Sequence, residues 1–118
     1  ELPEATAISY FAQLVSALAH LHSLNVLHRD VKTANILLAA GDVIKLGDFG
    51  ASRPLDHESQ MINTVVGTPA YFAPELLLSS PYNRGCDVWA LGCCLYEMLA
   101  LARPFSSSNF FELADMIM

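Results

Sequence analysis

The chain contains 118 residues, a length that suits one domain, with 53% apolar and only 15% charged residues. An average globular chain is roughly 25% charged and a small complete domain should be more polar still, so we predict a segment of a larger core rather than an unusually apolar small protein. The net charge of −6, with six Lys and Arg, argues against a nucleic-acid partner, which would require a basic patch.

The sequence also argues against a membrane partner and against secretion. The longest apolar stretch, residues 88–102, contains Glu97 and is too short to span a bilayer. No signal-peptide pattern opens the chain. Cys86, Cys93 and Cys94 lack the spacing of a metal site and fall in an apolar helical stretch, so we expect them to be buried and reduced. Reduced cysteines predict an intracellular, cytoplasmic location.

The first predicted element is a helix over residues 3–23, with Pro3 at its first position and Asn25 in the left-handed turn that ends it. We interpret His20 and His22 as favourable partners of the helix dipole. Helical spacing predicts one apolar stripe, formed by Ile8, Phe11, Leu14, Val15, Leu18 and Leu21.

A hairpin is predicted next, because the apolar runs 36–38 and 43–46 are joined by Ala-Gly-Asp. Polar clusters flank the hairpin on both sides. The hairpin can therefore bring Asp30, Asn35 and Asp48 to one edge. Carboxylate and amide oxygens gathered at one edge are hard ligands suited to Mg²⁺.

The second half of the chain alternates irregular and helical segments. Residues 51–66 are polar, aperiodic and punctuated by proline, which predicts a loop. A short helical turn is expected over 74–80, and a helix that is apolar on every face over 85–102, which predicts complete burial. Asn109 is a candidate N-cap for a last helix, whose apolar stripe comprises Phe110, Leu113 and Ile117.

Three motifs in this order resemble the signatures of eukaryotic protein kinases: HRDVKTAN at 28–35, Asp-Phe-Gly at 48–50 and Ala-Pro-Glu at 73–75. A hairpin between the first two and an apolar helix after the third agree with that family. Ala34, the run GTPAYFAPE and the run WALGC are similar to the NIMA-related kinases. The resemblance covers essentially the whole chain, and the chain covers less than half of a kinase domain.

The resemblance implies an α+β, mainly α-helical fold: the large, C-terminal lobe of the protein kinase fold, with a small β-hairpin that carries the catalytic and metal motifs. The N-lobe is absent from the sequence, so residues 1–118 form a partial protein kinase domain. Its parts are the helix before the catalytic loop (1–25), the catalytic loop, hairpin and Asp-Phe-Gly (26–50), the activation segment (51–75), and the buried helix with the helix that follows it (76–118).

The implied activity is transfer of the ATP γ-phosphate to serine or threonine of a protein substrate. By resemblance, Asp30 accepts or orients the proton of the attacking hydroxyl, and Lys32 meets the transferred phosphate. Asn35 and Asp48 would hold the Mg²⁺ ions that bridge the phosphates of ATP.

Substrate binding is assigned by resemblance to Gly67 and Thr68. The Thr68 hydroxyl would bond toward Asp30 and Lys32, and a threonine and a lysine at these positions are typical of serine/threonine kinases rather than tyrosine kinases.

Regulation is expected at Thr64, a candidate phosphosite on the activation loop. A phosphate there would be contacted by Arg29 and by Arg53 as a second partner.

Four further residues have structural roles by resemblance. His28 and Phe49 would stack in an apolar column that aligns the two lobes, and Asp87 would anchor the backbone of the catalytic loop. Glu75 would be buried without the distant arginine that pairs with it in the family, and it would either cost several kcal/mol or take up a proton.

The sequence contains no Gly-rich phosphate loop and no strand lysine, so the isolated chain is expected to be inactive without the missing N-lobe.

Two other functions remain as alternatives. A non-catalytic kinase-like interaction module would not need Asp30, Lys32, Asn35 and Asp48 together, and an unrelated Mg²⁺ phosphohydrolase would not explain residues 67–75.

Overall fold

The computed structural model describes residues 2–54 and 66–118. The first helix, α1 (Glu4–Ser23), starts one residue later than expected, with Pro3 as its N-cap. The Pro3 carbonyl accepts the first helical hydrogen bond, from the Ala7 amide at 3.0 Å. As predicted, Asn25 follows the helix in the left-handed conformation, with φ 55°.

The buried face of α1 differs from the predicted stripe. Ala7, Tyr10, Leu14 and Leu18 are buried, whereas Ile8 and Val15 are 48% and 43% exposed. The Tyr10 hydroxyl donates to the Asp42 carboxylate, at 2.8 Å. The prediction counted only Phe and the large aliphatic residues, and it therefore assigned part of the apolar stripe to an exposed face of the helix.

The predicted hairpin is confirmed. Strand β2 (Ile36–Ala39) pairs antiparallel with β3 (Val43–Leu46), in the register Ile36 opposite Leu46. A second pair joins β1 (Val26–Leu27) to β4 (Arg53–Pro54), so residues 53 and 54 of the predicted loop 51–66 form a short strand. Proline can occupy this position because an edge strand does not require every backbone N–H.

The long helix α3 (Arg84–Ala100) ends two residues before the predicted end, and its C-cap Leu101 is left-handed with φ 56°. The three cysteines are buried and free, as predicted. Burial on every face is not observed, because Val88 and Leu99 are exposed. Helix α3 packs on α1, and their shared core contains Leu14, Leu18, Val31, Tyr71, Leu91 and Cys94.

Two shorter helices complete the described chain. Helix α2 (Pro74–Leu77) is shorter than the predicted 74–80 segment. Helix α4 (Phe110–Ile117) has the predicted cap, since Asn109 Oδ1 accepts hydrogen bonds from two amides of its first turn. Leu113 and Ile117 of its stripe are buried, whereas Phe110 is exposed. No helix in residues 2–54 and 66–118 combines the length and the apolar composition of a membrane-spanning segment.

Candidate active site

The loop between β1 and β2 is attached to α3 by one buried carboxylate. Asp87 is fully buried and accepts hydrogen bonds from the backbone amides of His28, at 2.9 Å, and Arg29, at 3.0 Å. Two successive amides bound to one carboxylate fix the backbone direction immediately before Asp30. Because a buried carboxylate is stable only when it is well hydrogen-bonded, Asp87 and the loop depend on each other.

Two side chains also form hydrogen bonds with the Asp87 carboxylate. The Tyr82 hydroxyl donates to Oδ1 at 3.0 Å, and His22 Nε2 lies 2.9 Å from Oδ2. Burial, followed by the charge of Asp87, raises the pKa of Tyr82, so the phenol keeps its proton. His22 therefore has a specific partner in addition to its place in the last turn of α1.

Arg29 is buried beneath this network, with its guanidinium 5.7 Å from the centre of the Tyr82 ring. Its backbone is left-handed, with φ 72°. Burial and then the nearby charge of Arg53 lower the pKa of Arg29. The charge of Asp87, whose Oδ1 accepts from the Arg29 amide, acts on this pKa in the opposite direction.

His28 uses both ring nitrogens. The Asp30 amide donates to Nδ1 at 3.2 Å, so Nδ1 is unprotonated and Nε2 donates to the Gly47 carbonyl, at 2.9 Å. The ring also contacts Phe49, with ring centres 5.2 Å apart and planes tilted by 60°. His28 thus joins the loop before Asp30 to the residue before Asp48, in addition to the packing that the sequence predicted.

Asp30, Lys32 and Thr68 meet at the centre of the site. The Lys32 ammonium donates to Thr68 Oγ1 at 2.9 Å, and that hydroxyl donates to Asp30 Oδ1 at 3.2 Å. Lys32 Nζ lies 3.5 Å from Asp30 Oδ2. A carboxylate oriented by a cation and a hydroxyl can receive a proton from a second hydroxyl placed beside it.

Asn35 lies between Asp30 and the Asp48 motif. Its Nδ2 donates to the Asp30 carbonyl at 2.8 Å and to Asp30 Oδ2 at 3.3 Å, and its backbone carbonyl accepts from the Gly47 amide at 2.8 Å. Since Nδ2 makes both donor contacts, Oδ1 is left to act as an acceptor or a metal ligand.

The donor set fits Mg²⁺ rather than a softer metal. Asp48 is exposed and directly follows Gly47, whose amide donates to the Asn35 carbonyl, so Asn35 and Asp48 lie on neighbouring stretches of backbone. The described residues contain no cluster of three His, Cys, Asp or Glu able to hold a metal. One carboxylate and one amide oxygen are typical of Mg²⁺ bound partly through substrate phosphates.

Gly67 approaches the catalytic loop so closely that a side chain cannot fit. A Cβ at this position would lie 2.9 Å from the Arg29 carbonyl oxygen and 3.2 Å from the Phe72 ring. Its φ of 111° is also unfavourable for other residues. Glycine therefore allows Thr68 to reach Asp30.

We predict that Gly67→Ala destabilises the protein by about 1–3 kcal/mol more than Gly41→Ala, because overpacking adds to the backbone strain. Gly41 is the matched control, since its φ is 76° and no atom lies within 4 Å of an added Cβ. Urea unfolding of both variants measures the difference. Equal losses would mean that the Arg29 carbonyl does not exclude the side chain.

Other predicted site residues are less tightly held. Arg53 is exposed and donates to the Ser52 carbonyl at 2.8 Å, whereas Thr64 lies outside the described residues. Glu75 is half-buried, and Cys86 Sγ lies 3.5 Å from its Oε1, so it is not the fully buried, unpaired group that we expected. Burial raises the pKa of the Cys86 thiol to about 11, which keeps it a donor.

Sequence reasoning missed the partners of this site on the helices. His22 and Tyr82 bind Asp87, and Glu97 binds the hydroxyls of Thr33 and Tyr71. The sequence did contain a signal for Glu97. It is a charged residue in a largely apolar helix, and such a residue requires a partner when it is buried.

Three features together define a protein kinase domain: the loop anchored by Asp87, the contacts of Thr68 with Asp30 and Lys32, and the neighbouring Asn35 and Asp48. The family described as protein kinase domain matches residues 1–117. The chain belongs to this family. It is 45% identical over 108 residues to serine/threonine-protein kinase Nek4 of Mus musculus, covering 92% of this chain and 14% of that protein.

Two further relatives give the same result. Serine/threonine-protein kinase nekl-2 of Caenorhabditis elegans is 48% identical over 108 residues, covering 91% of this chain and 30% of the relative. Serine/threonine-protein kinase 36 of Pongo abelii is 44% identical over 118 residues, covering all of this chain and 9% of the relative. The Nek relatives confirm the resemblance to NIMA-related kinases. The chain thus spans less than a third of each of these curated relatives.

Proposed function

We propose that the chain contributes the catalytic machinery of a protein serine/threonine kinase, which transfers the ATP γ-phosphate to a hydroxyl of a protein substrate. The observation that carries this proposal is the contact of Thr68 with both Asp30 and Lys32. The serine/threonine kinase relatives support the same reaction. The contacts within the site support the roles that we propose for individual residues.

Asp30 receives or orients the proton of the substrate hydroxyl. Its Oδ1 is held by Thr68 and its Oδ2 by Lys32 and Asn35, so the carboxylate presents a fixed direction to an incoming hydroxyl. Lys32 supplies positive charge beside the same carboxylate, where charge on a phosphoryl group must be stabilised.

Asn35 Oδ1 and the Asp48 carboxylate would hold Mg²⁺. When bound, ATP and Mg²⁺ supply the phosphoryl group and neutralise the charge that develops on its oxygens. Asn35 also fixes Asp30 through Nδ2, so one side chain links the metal edge to the group that handles the proton. This division leaves Asp30 with the substrate and Asp48 with the nucleotide.

We infer that the chain represents the large, C-terminal lobe and that activity needs an N-lobe outside this sequence. The sequence contains no Gly-rich phosphate loop and no strand lysine to cover ATP. A non-catalytic interaction module is the alternative, and it is disfavoured because Asp30, Lys32 and Asn35 make mutual contacts that binding alone does not require.

The isolated 118-residue chain is therefore expected to have negligible kinase activity. The physical reason is that the chain itself can bind ATP only through Mg²⁺ held by Asn35 and Asp48. Transfer of labelled phosphate to a mixed serine/threonine substrate measures this, with the complete kinase domain as control. Turnover of about 1–100 per second by the isolated chain would contradict the prediction.

The complete domain is expected to phosphorylate serine and threonine at least tenfold faster than tyrosine. Thr68 bound between Asp30 and Lys32 brings the substrate segment close to the catalytic carboxylate, which favours a short acceptor side chain. Peptides that differ only in Ser, Thr or Tyr at the acceptor position test this. A preference for tyrosine would refute both the specificity and the role given to Thr68.

We also propose that phosphorylated Thr64 is contacted by Arg29, with Arg53 as a second partner. Burial and then the nearby charge of Arg53 lower the pKa of Arg29, and the proximity of these two cations supports a phosphate at this place. An intracellular, cytoplasmic location is proposed on the three free, buried cysteines, which suit a reducing compartment.

A further inference from the structure

A second polar cluster lies beside the Asp30–Lys32–Thr68 site and is centred on Glu97 of α3. Thr33 Oγ1 and the Tyr71 hydroxyl both donate to Glu97 Oε2, at 3.1 and 2.6 Å. Arg103 Nε lies 3.8 Å from Oε1, and its guanidinium is 5.8 Å from the centre of the Tyr71 ring. We call Thr33, Tyr71, Glu97 and Arg103 the Glu97 cluster.

Proton counting shows that the carboxylate organises this cluster. Each hydroxyl carries one proton, and a carboxylate only accepts. The Tyr71 proton is directed to Oε2, and the Thr33 hydroxyl lies within hydrogen-bond distance of both Oε2 and the Tyr71 oxygen, at 3.1 Å from each. Burial, followed by the bond to Glu97, raises the pKa of Tyr71, and the phenol therefore remains a donor at neutral pH.

The two hydroxyl donors occupy informative places in the chain. Thr33 follows Lys32 directly and opens the 3₁₀ turn that ends at Asn35. Tyr71 ends the turn Pro69–Tyr71, and its amide donates to the Thr68 carbonyl at 2.9 Å. Glu97 therefore holds one segment beside Lys32 and another beside Thr68, the two residues whose side chains meet at 2.9 Å.

We propose that Glu97 is a positioning residue for phosphoryl transfer, which sets Lys32 against Thr68 by binding Thr33 and Tyr71, with Arg103 as its countercharge. Asp87 holds the catalytic loop before Asp30, and Glu97 holds it after Lys32. This inference rests on the proposed kinase function, because its effect is expressed in the rate of transfer.

The test uses the complete kinase domain with Thr33→Val and Thr33→Ser. Valine keeps the shape of threonine but cannot donate to Glu97, whereas serine keeps the hydroxyl. We expect Thr33→Val to lower kcat about tenfold to 100-fold, since charge-assisted hydrogen bonds and small misplacements have effects of this size. The KM for ATP should stay within about twofold, because Asn35 and Asp48 lie outside the Glu97 cluster. Thr33→Ser should restore at least half of the lost rate.

Tyr71→Phe provides an independent arm if Thr33→Val does not fold, because it removes the shorter bond to Glu97, at 2.6 Å. It should lower kcat in the same range without raising the KM for ATP. Unchanged kcat in the tested variant, or a loss in Thr33→Ser equal to that in Thr33→Val, would overturn the positioning role while wild-type activity upholds the kinase function. A wild-type domain without transfer would overturn the kinase function and this inference together.

Discussion

Asp30→Asn is expected to lower the turnover of the complete kinase domain about 10²- to 10⁴-fold while leaving ATP affinity nearly unchanged. Asparagine keeps the size of the side chain and can still accept from Thr68, but its amide is a far weaker base than a carboxylate. Nucleotide affinity should persist because it depends on Asp48 and Asn35. Steady-state turnover and ATP titration of the same preparation measure the two quantities separately.

Two variants give this experiment its controls. Asp42→Asn makes the same chemical change in the hairpin turn, where the residue is exposed, left-handed with φ 57° and bound to Tyr10. Asparagine tolerates that conformation, so turnover should match the wild type. Asp48→Ala should instead weaken binding of ATP with Mg²⁺. If Asp30→Asn weakened ATP binding as much as Asp48→Ala, the division of roles between the two carboxylates would be wrong.

Local chemistry made part of this fold predictable. The turn 40–42 between two apolar runs predicted the hairpin. Asn109 likewise predicted the start of α4, which it caps. In both cases the determining residues lie within a few positions of each other. Backbone conformation and short-range hydrogen bonds decide such features before any tertiary packing is known.

The helix faces were harder to predict, because burial depends on what packs against the helix. Ile8 and Val15 follow the helical period but are exposed, whereas Tyr10 is buried and its hydroxyl binds Asp42, 32 positions away. Only the tertiary structure selects between two adjacent apolar faces. Single-sequence periodicity therefore identified α1 but placed its core face incorrectly in part.

The site shows the same division. Thr68 between Asp30 and Lys32 was anticipated from family resemblance, and the structure brings these side chains together. His22 bound to Asp87 was not anticipated, because the two residues are 65 positions apart. Contacts between α1 and α3 are set by the packing of the whole core, and no spacing rule reports them.

Asp87→Ala is expected to destabilise the complete domain by about 3–5 kcal/mol, the range for removing one partner from a buried charged network. Alanine would leave the buried amides of His28 and Arg29 without their acceptor, and each unsatisfied group costs about 1–3 kcal/mol. Urea unfolding at neutral pH measures the loss.

Tyr82→Phe is the matched control, since it removes only one donor, at 3.0 Å, while both loop amides keep Asp87. The control should cost about 1 kcal/mol, the usual net contribution of one hydrogen bond. Equal losses in the two variants would show that Asp87 is not the anchor of the catalytic loop.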